Sequence, residues 1–465
     1  MIKSSKSSKS SKSRSSDFTG GPLAGRILFF SVPIALSSVL QQLYNAADTA
    51  VCGRFAGSEA LAAVGSNSSL TSLFINVLVG LSIGANVEIA QAIGSGHSDR
   101  AGAVVHTSIL FAALSGVFMS ILCIPLAAPI LTLMGTPENV ISQAVLYLRI
   151  YLAGMPFIVL YNFGAAILRA TGDTKRPMFC LAASGIVNVI LNLLLVIVFG
   201  LGVAGVAIAT VISNVVSSCL VLGLLMKEQS SVHLDIRRLW IYPDVLKRIL
   251  KIGVPSSVQG VAFSLSNVCI QSGINSFGSS AVAASSAVGN IEAIDYYLVS
   301  SFNQAAMTLT GQNYGAGRLD RCRRIALLCL LESLGAMAVW ESMIFLFRDS
   351  ILHIFTTDAE VLAFAVEKMW YTVLPHFMIC GYEILASSMR GMGRSVVPAL
   401  ISVCGTVAFR LLWVFVIFPQ IGTFASLLLV YFFSWILTNT VMAIAFFRVL
   451  HGREAEAAIM RASRT

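Results

Sequence analysis

Residues 91–100 read QAIGSGHSDR, and residues 312–321 read QNYGAGRLDR. Gln91, Gly94, Gly96, Asp99 and Arg100 therefore return as Gln312, Gly315, Gly317, Asp320 and Arg321. The echo extends in both directions. Val32-Pro33 returns as Val254-Pro255, and Phe55-Ala56-Gly57-Ser58 as Phe277-Gly278-Ser279-Ser280. Pro156 is answered by Pro375, Arg169 by Arg390, and Gly172 with Pro177 by Gly393 with Pro398. The offset stays between 219 and 222 residues. The chain is one unit written twice.

Each copy is apolar. Of 465 residues, 56% are hydrophobic and 11% are charged, against about 25% charged in ordinary soluble domains. Twelve apolar stretches occur, at 24–52, 59–90, 101–127, 143–168, 178–200, 203–226, 248–275, 280–310, 323–347, 360–389, 396–418 and 422–447. Most exceed the roughly 20 residues that cross a bilayer core. They lack the alternating ten-residue segments of a barrel, so helices are expected. The expected fold is an all-α membrane protein with twelve transmembrane helices in two six-helix lobes related by a pseudo-twofold axis. Fused membrane repeats of this kind place a substrate between two lobes. The division read from the sequence is a disordered basic tail (1–20), a first lobe (21–226), a linker (227–247), a second lobe (248–450) and a C-terminal tail (451–465).

The net charge of +9 is not a nucleic-acid footprint. Of the 31 Lys and Arg, 26 fall in the tails and in alternate loops, and only Arg54 and Arg348 lie in the opposite loops. The positive-inside rule then puts both termini in the cytoplasm. With six spans each, both copies enter from the same side. The nine cysteines are scattered without a CxxC pair, so neither a disulfide framework nor a metal knuckle is expected. No cleavable signal peptide is read at the start, where Lys3 to Ser16 form a K-S-S repeat.

Glycines in the 91–100 and 312–321 loops fit helix ends, and Asp99 or Asp320 fits a cap on the next helix. A second loop pattern, Leu168-Arg169 through Gly172-Asp173 to Pro177, returns as Met389-Arg390 through Gly393 to Pro398. Here Gly ends one helix and Pro opens the next. No phosphate-binding GxGxxG or GxxxxGK[ST] motif is present.

These two patterns, after spans 2, 4, 8 and 10, resemble the multidrug and toxic compound extrusion family. The segment Asn188-Val-Ile-Leu-Asn192, followed by GVAGVAIAT at 202–210, resembles its bacterial DinF-like branch. The resemblance covers residues 20–450. It implies an antiporter in the bacterial cytoplasmic membrane that expels organic cations or drugs by alternating access, driven by inward H⁺ or Na⁺, without a cofactor.

Ionisable groups inside spans cost about 2.5–3.5 kcal/mol each on insertion scales and mark candidate function. Gln41, Asn45 and Asp48 share one face of span 1, Asn188 and Asn192 one face of span 5, and Thr210 and Asn214 one face of span 6. Counted at about 1.5 Å per residue, Asp48, Asn192 and Thr210 lie at similar depth. A carboxylate among amide and hydroxyl oxygens suits a proton or a Na⁺ ion. Asp48 near a helix end can equally snorkel to the outer water. The resemblance implies the coupling-cation role for Asp48, Asn188 and Thr210. Asn192 stands where many members carry a second Asp, a departure that favours H⁺.

The second copy has Ile270 where the first has Asp48. Its mid-span charges are Glu292, Asp295 and Arg410. The acids can attract a cationic substrate, or pair with Arg410 as a structural ion pair. Gln41, Tyr44, Asn45, Glu292, Asp295 and Arg410 are therefore candidates for a substrate cavity. Met155, Phe157, Tyr161, Phe163, Tyr296 and Tyr297 are candidates for its walls or for plain packing. Glu383, Arg390 and Arg169 are expected at span ends, Arg149 and Lys368 as outer-end anchors, and His106, His353 and His376 as structural groups. The expected partners are a cationic or amphipathic small molecule and the lipid bilayer, with no nucleic acid, and the chain is read as a monomer. A lipid or lipid-linked sugar flippase is the alternative, which calls for a cationic cavity and two further helices. An enzyme is disfavoured, since no nucleophile–base pair or metal motif is found.

Overall fold

The structure, a computed structural model, describes residues 18–462. Among these the backbone is helical almost throughout and contains no strand. Twelve rods follow in order: α1 (Ala24–Ala56), α2 (Ser58–Gly94), α3 (Ser98–Leu133), a bent α4 (Glu138–Ala153 and Met155–Ala170), α5 (Lys175–Val198) and α6 (Gly202–Lys227). Then come α7 (Pro243–Asn275), α8 (Ser279–Gly315), α9 (Leu319–Leu346), α10 (Ala359–Thr372 continued by Met378–Gly391), α11 (Val396–Ile421) and α12 (Phe424–Ala462). A short helix, Arg348–Phe355, joins α9 to α10.

By length and composition, eight of these helices can cross a membrane, and α4 makes nine if its bent pair is one span. The rods that fall short are α7, α8 and α10. α7 and α8 are long enough but too polar, α10 is broken into two helices of 14 residues each, and all three line the cavity described below. Polar residues are tolerated at membrane depth where they face a protein cavity rather than lipid. The outer surfaces carry large exposed apolar side chains such as Phe118, Ile121, Phe179 and Phe415. Such a belt is stable against hydrocarbon and not against water.

The break in α4 bends the rod by 47°. Pro156 lies just beyond it, where proline removes a backbone donor and crowds the preceding turn. A Cβ on Gly154 would stand 2.7 Å from Val211 Cγ2, so glycine lets the bend sit against α6. The repeat-equivalent Pro375 falls in the tight turn Leu374–Phe377 that interrupts α10.

α1–α6 pack around Leu131, Leu148, Met155 and Phe163. α7–α12 pack around Phe302, Cys380, Met389 and Trp435, joined by Ile27 and Phe30 from the start of α1. Met155 and Phe163 are thus core, and the Tyr161 hydroxyl donates to Pro177 O at 3.4 Å.

In lipid, apolar faces gain little from meeting each other, so close backbone approach and interhelical hydrogen bonds decide which helices associate. The two lobes meet through small residues on the face that carries the chain termini. A Cβ on Gly84 would lie 2.2 Å from Ile249 O, and one on Gly80 2.5 Å from Ser257 N. Gly94 faces Gln312 O at 1.8 Å, and Gly315 faces Gln91 O at 2.2 Å, in the same sense. Gln91 Nε2 donates to Gly391 O at 2.8 Å, and Gln312 Nε2 donates to Ala170 O at 2.8 Å. Ala170 and Gly391 are themselves repeat equivalents. The two loop motifs therefore form a twofold lock across the lobes.

The conformational glycines are the later ones: Gly96 and Gly317 have φ of 74° and 71°. Neither of these two helix starts has a side-chain cap, because His97 and Arg318, not Asp99 and Asp320, occupy the N-cap positions. Asp173 does cap α5, accepting from Lys175 N at 3.1 Å and Arg176 N at 3.0 Å.

The first described residue is anchored to the second copy of the lock. Phe18 is buried edge-on against Phe30, its N donates to Gln312 Oε1 at 3.3 Å, and its O accepts from Asn313 Nδ2 at 3.3 Å. Residues 1–17 of the expected tail lie outside the described residues, but Phe18 belongs to the folded body. The linker is ordered too. Val232 and Leu234 are buried, and His106 Nε2 accepts from Asp235 N at 3.1 Å.

Replacing Gly94 with valine should push the lobes apart on the terminal face and cost about 1–3 kcal/mol of stability by overpacking. Spin labels at Asp99 and Asp320, both exposed in the first turns of α3 and α9, should report a mean distance several Å longer. An unchanged distance and melting temperature would show that this contact does not hold the lobes together.

Candidate functional site

Inside the first lobe, α1, α5 and α6 bring four polar side chains together. Asn192 Nδ2 donates to Asp48 Oδ1, and also to Asn188 Oδ1 at 3.2 Å. The Thr210 hydroxyl is 3.3 Å from Asp48 Oδ2. Asn188 and Asn192 are buried, as helical spacing on one face requires. Just beyond Asn192, α5 widens into a π-helical stretch at Leu193–Val198. Wide turns of this kind release a backbone carbonyl from the regular ladder and cluster at functional sites.

The chemistry of this cluster is that of a small cation. Asp48 is its only carboxylate, and its oxygens are met by one amide donor and one hydroxyl. Asn192 Oδ1 is buried with no hydrogen-bond partner. An orphaned acceptor beside a carboxylate can take a proton carried on Asp48 or help to coordinate a bound ion. Among the described residues, no group of three or more His, Cys, Asp or Glu is placed to hold a metal.

Tyr44, one turn before Asp48, packs its ring over Gly185, where a Cβ would fall 1.7 Å from the ring. Its hydroxyl is 3.2 Å from Leu181 O and 3.3 Å from Ala182 O. Tyr44 fastens α1 to α5 instead of facing the cavity. Gln41 and Asn45 are exposed and likewise do not line it.

The cavity, of about 590 Å³, lies within the second lobe, with part of α2 as one wall. That volume suits a drug-sized ligand. Glu292 and Arg410 face it; Asp295 does not. Asp295 is fully buried behind the wall, taking Trp340 Nε1 at 2.5 Å and His376 Nδ1 at 2.9 Å. Glu292 takes Lys368 Nζ at 3.3 Å and the Thr372 hydroxyl. Neither acid forms an ion pair with Arg410, so the expected pairing is replaced by Lys368–Glu292 and His376–Asp295.

Several cavity residues were not expected there. Lys368 is buried and bonded to Ser285 O at 3.3 Å and Ser285 Oγ at 3.0 Å, so it is no outer-end anchor, whereas Arg149 is exposed. His376 lines the cavity and stacks on Trp435 with ring centroids 5.6 Å apart. Glu383 and Arg390 are buried in the wall and not interfacial. Arg390 reaches Gln259 Oε1 at 2.8 Å, and Glu383 accepts from Asn303 Nδ2 at 3.3 Å. The usable signal was the low apolarity of spans 7, 8 and 10, because only a cavity excuses so many polar groups at that depth. Of the expected aromatics, Tyr296 faces the cavity, while the Tyr297 hydroxyl donates across the lobes to Gln42 Oε1 at 3.0 Å.

Comparison with known proteins follows the same twofold division. The sequence model of the MatE family matches residues 33–194 and again 255–416. A probable multidrug resistance protein, YoeA, of Bacillus subtilis is 32% identical over 80% of this chain and 82% of its own length. A probable multidrug resistance protein, NorM, of Thermotoga maritima is 26% identical over 81% and 82%. A crystal structure of a MATE protein in its bent conformation superposes with a TM-score of 0.88 at 22% identity, covering 96% of this chain and 99% of the other.

Removing Lys368 as Lys368→Met should leave the half-buried Glu292 carboxylate without its ion-pair partner, at a cost of about 1–3 kcal/mol. Adding Glu292→Gln should recover most of that loss. Thermal unfolding of the two single variants and the double variant tests this. Strict additivity would mean that the pair contributes nothing.

Proposed function

The chain belongs to the MatE family, and on that premise we propose that it is a multidrug efflux antiporter of the bacterial cytoplasmic membrane, coupled to H⁺ influx through Asp48. The observation that carries the coupling is the lone carboxylate of α1, held by Asn192 and Thr210 inside the first lobe. One carboxylate exchanges one proton. A Na⁺ ion at the same oxygens would retain a single full negative charge to balance it, a weaker arrangement than two acids provide. In this reading both termini are cytoplasmic, and the protein works as a single chain.

The mechanism follows from the placement of the groups. With the lobes locked on the terminal face, Asp48 is reached from the opposite face. Protonation there removes the charge that Asn192 and Thr210 compensate. The contacts of α1 with α5 and α6 then rearrange next to the wide turn at Leu193–Val198. α1 also packs on the second lobe through Ile27 and Phe30, so a change at Asp48 reaches the other lobe along one continuous helix. Coupling needs only that proton and substrate favour different states of that element. Each inward charge gains about 2.3 kcal/mol per 100 mV of membrane potential.

A flippase for lipids or lipid-linked sugars is the second reading, and the cavity's Lys368, Arg390 and Arg410 favour it. The twelve rods weigh against it.

Purified protein in proteoliposomes should move ethidium against its gradient when a pH gradient is imposed, and not under a Na⁺ gradient alone. Asp48→Asn should lower that transport at least about 100-fold, as expected when an ionisable coupling group is lost, while the protein still inserts and purifies as a single species. Undiminished transport by Asp48→Asn would remove Asp48 from the mechanism, and Na⁺-driven transport would reassign the ion.

A further inference from the structure

Arg410 is the anomaly of the second lobe. It is buried, it faces the cavity, and among the described residues no carboxylate lies within ion-pair distance. Among the described residues its only hydrogen bond runs from Nε to Ser434 Oγ at 3.3 Å. A guanidinium has five N–H donors in a planar fork, so both terminal nitrogens are left without a protein partner. The fork is held in place by the Tyr431 ring, 4.5 Å from Arg410 Cζ, in a stacking geometry that suits Arg. Wide turns at Val403–Ala408 and Trp413–Ile417 bracket it in α11.

The repeat gives an independent observation. Both family matches begin and end 222 residues apart, and at that offset Arg410 follows Asn188 while Ile270 follows Asp48. Ile270 lines the same cavity. Where the first lobe sets a carboxylate among neutral oxygens, the second sets a cation opposite an apolar side chain. The other charges do not supply the missing anion. Glu292 is taken by Lys368 and Thr372, and Asp295 by His376 and Trp340.

We propose that Arg410 is an anion subsite of the transport cavity: its free N–H fork takes the carboxylate of an aromatic amphiphile whose ring system lies among Tyr296, Tyr431 and Trp435. A planar fork meeting a carboxylate forms two parallel charge-assisted bonds. This satisfies the buried cation only while substrate is present. The inference rests on the efflux reading and narrows it, from organic cations in general to aromatic molecules that also carry a carboxylate. The oxyanion chemistry is shared with the phosphate of a membrane lipid, and we assign it to the transported molecule because aromatic side chains line the cavity beside the fork.

The test uses the full chain in phosphatidylcholine nanodiscs and two dyes that differ only at one group. Rhodamine 110 has a free carboxylate, and rhodamine 123 is its methyl ester. Fluorescence anisotropy should show the acid binding about tenfold or more tighter than the ester, the size expected for a charge-assisted bidentate contact. Arg410→Gln should bring the two affinities within about twofold, and Arg410→Lys, which keeps the charge but not the fork, should retain part of the preference. The lysine variant carries the test if the glutamine variant does not purify as a single species. Equal binding of the two dyes by the unaltered protein, or a preference that survives both substitutions, overturns the proposal. So does displacement of rhodamine 110 by phosphatidylglycerol in nanodiscs, dependent on Arg410, since the site would then belong to lipid phosphate. In proteoliposomes, export of rhodamine 123 without any acid preference leaves efflux standing and removes the subsite. An Arg410-dependent acid preference with neither dye moved removes efflux and leaves the subsite.

Discussion

Bare backbone meets bare backbone where the two lobes touch, and the rest of the structure is arranged around that contact. Gly84 under Ile249, Gly94 under Gln312 and Gly315 under Gln91 leave no room for a side chain. In hydrocarbon this closeness, with the amide bonds of Gln91 and Gln312 across it, replaces the hydrophobic effect as the source of association. The lock is made of a few polar bonds and many small contacts.

The lobes are related by symmetry in backbone and not in chemistry. The first sets the half-buried Asp48 among neutral oxygens, and its buried Glu88 pairs with Arg100. The second buries Lys368, Arg390, Arg410, Glu383 and Asp295 in and around one cavity, with Glu292 half-buried on its wall. The repeat supplies the same helix positions twice, and different side chains at those positions give each lobe a different set of charges. Low polarisability inside the bundle makes every such replacement expensive unless a partner is also supplied. Asp295 and Glu292 have theirs in His376 and Lys368. Arg410 does not, which is why it carries more functional information than the better satisfied charges around it.

The cluster of Asp48, Asn188, Asn192 and Thr210 was legible in the sequence because each pair obeys helical spacing and all three helices bring polar atoms to one depth. The cavity was legible only in part. Glu292, Asp295 and Arg410 stood out as charges inside spans, but the partners of the two acids did not, since Lys368 and His376 lie 76 and 81 residues away in the chain. Tyr44 shows the opposite failure. Its spacing from Asp48 put it on the right face of α1, yet Gly185 leaves a slot for its ring, and packing decided its place.

Periodicity, the doubled motifs and the distribution of Lys and Arg were enough to determine a twice-written bundle of membrane helices, because apolar length and repeat spacing are local properties of the chain. Which charges pair across helices is not local. It depends on the rotation and tilt of each rod against its neighbours, and only the tertiary structure decided that Asp295 turns to His376, that Glu292 turns to Lys368, and that Arg410 is left facing an open cavity.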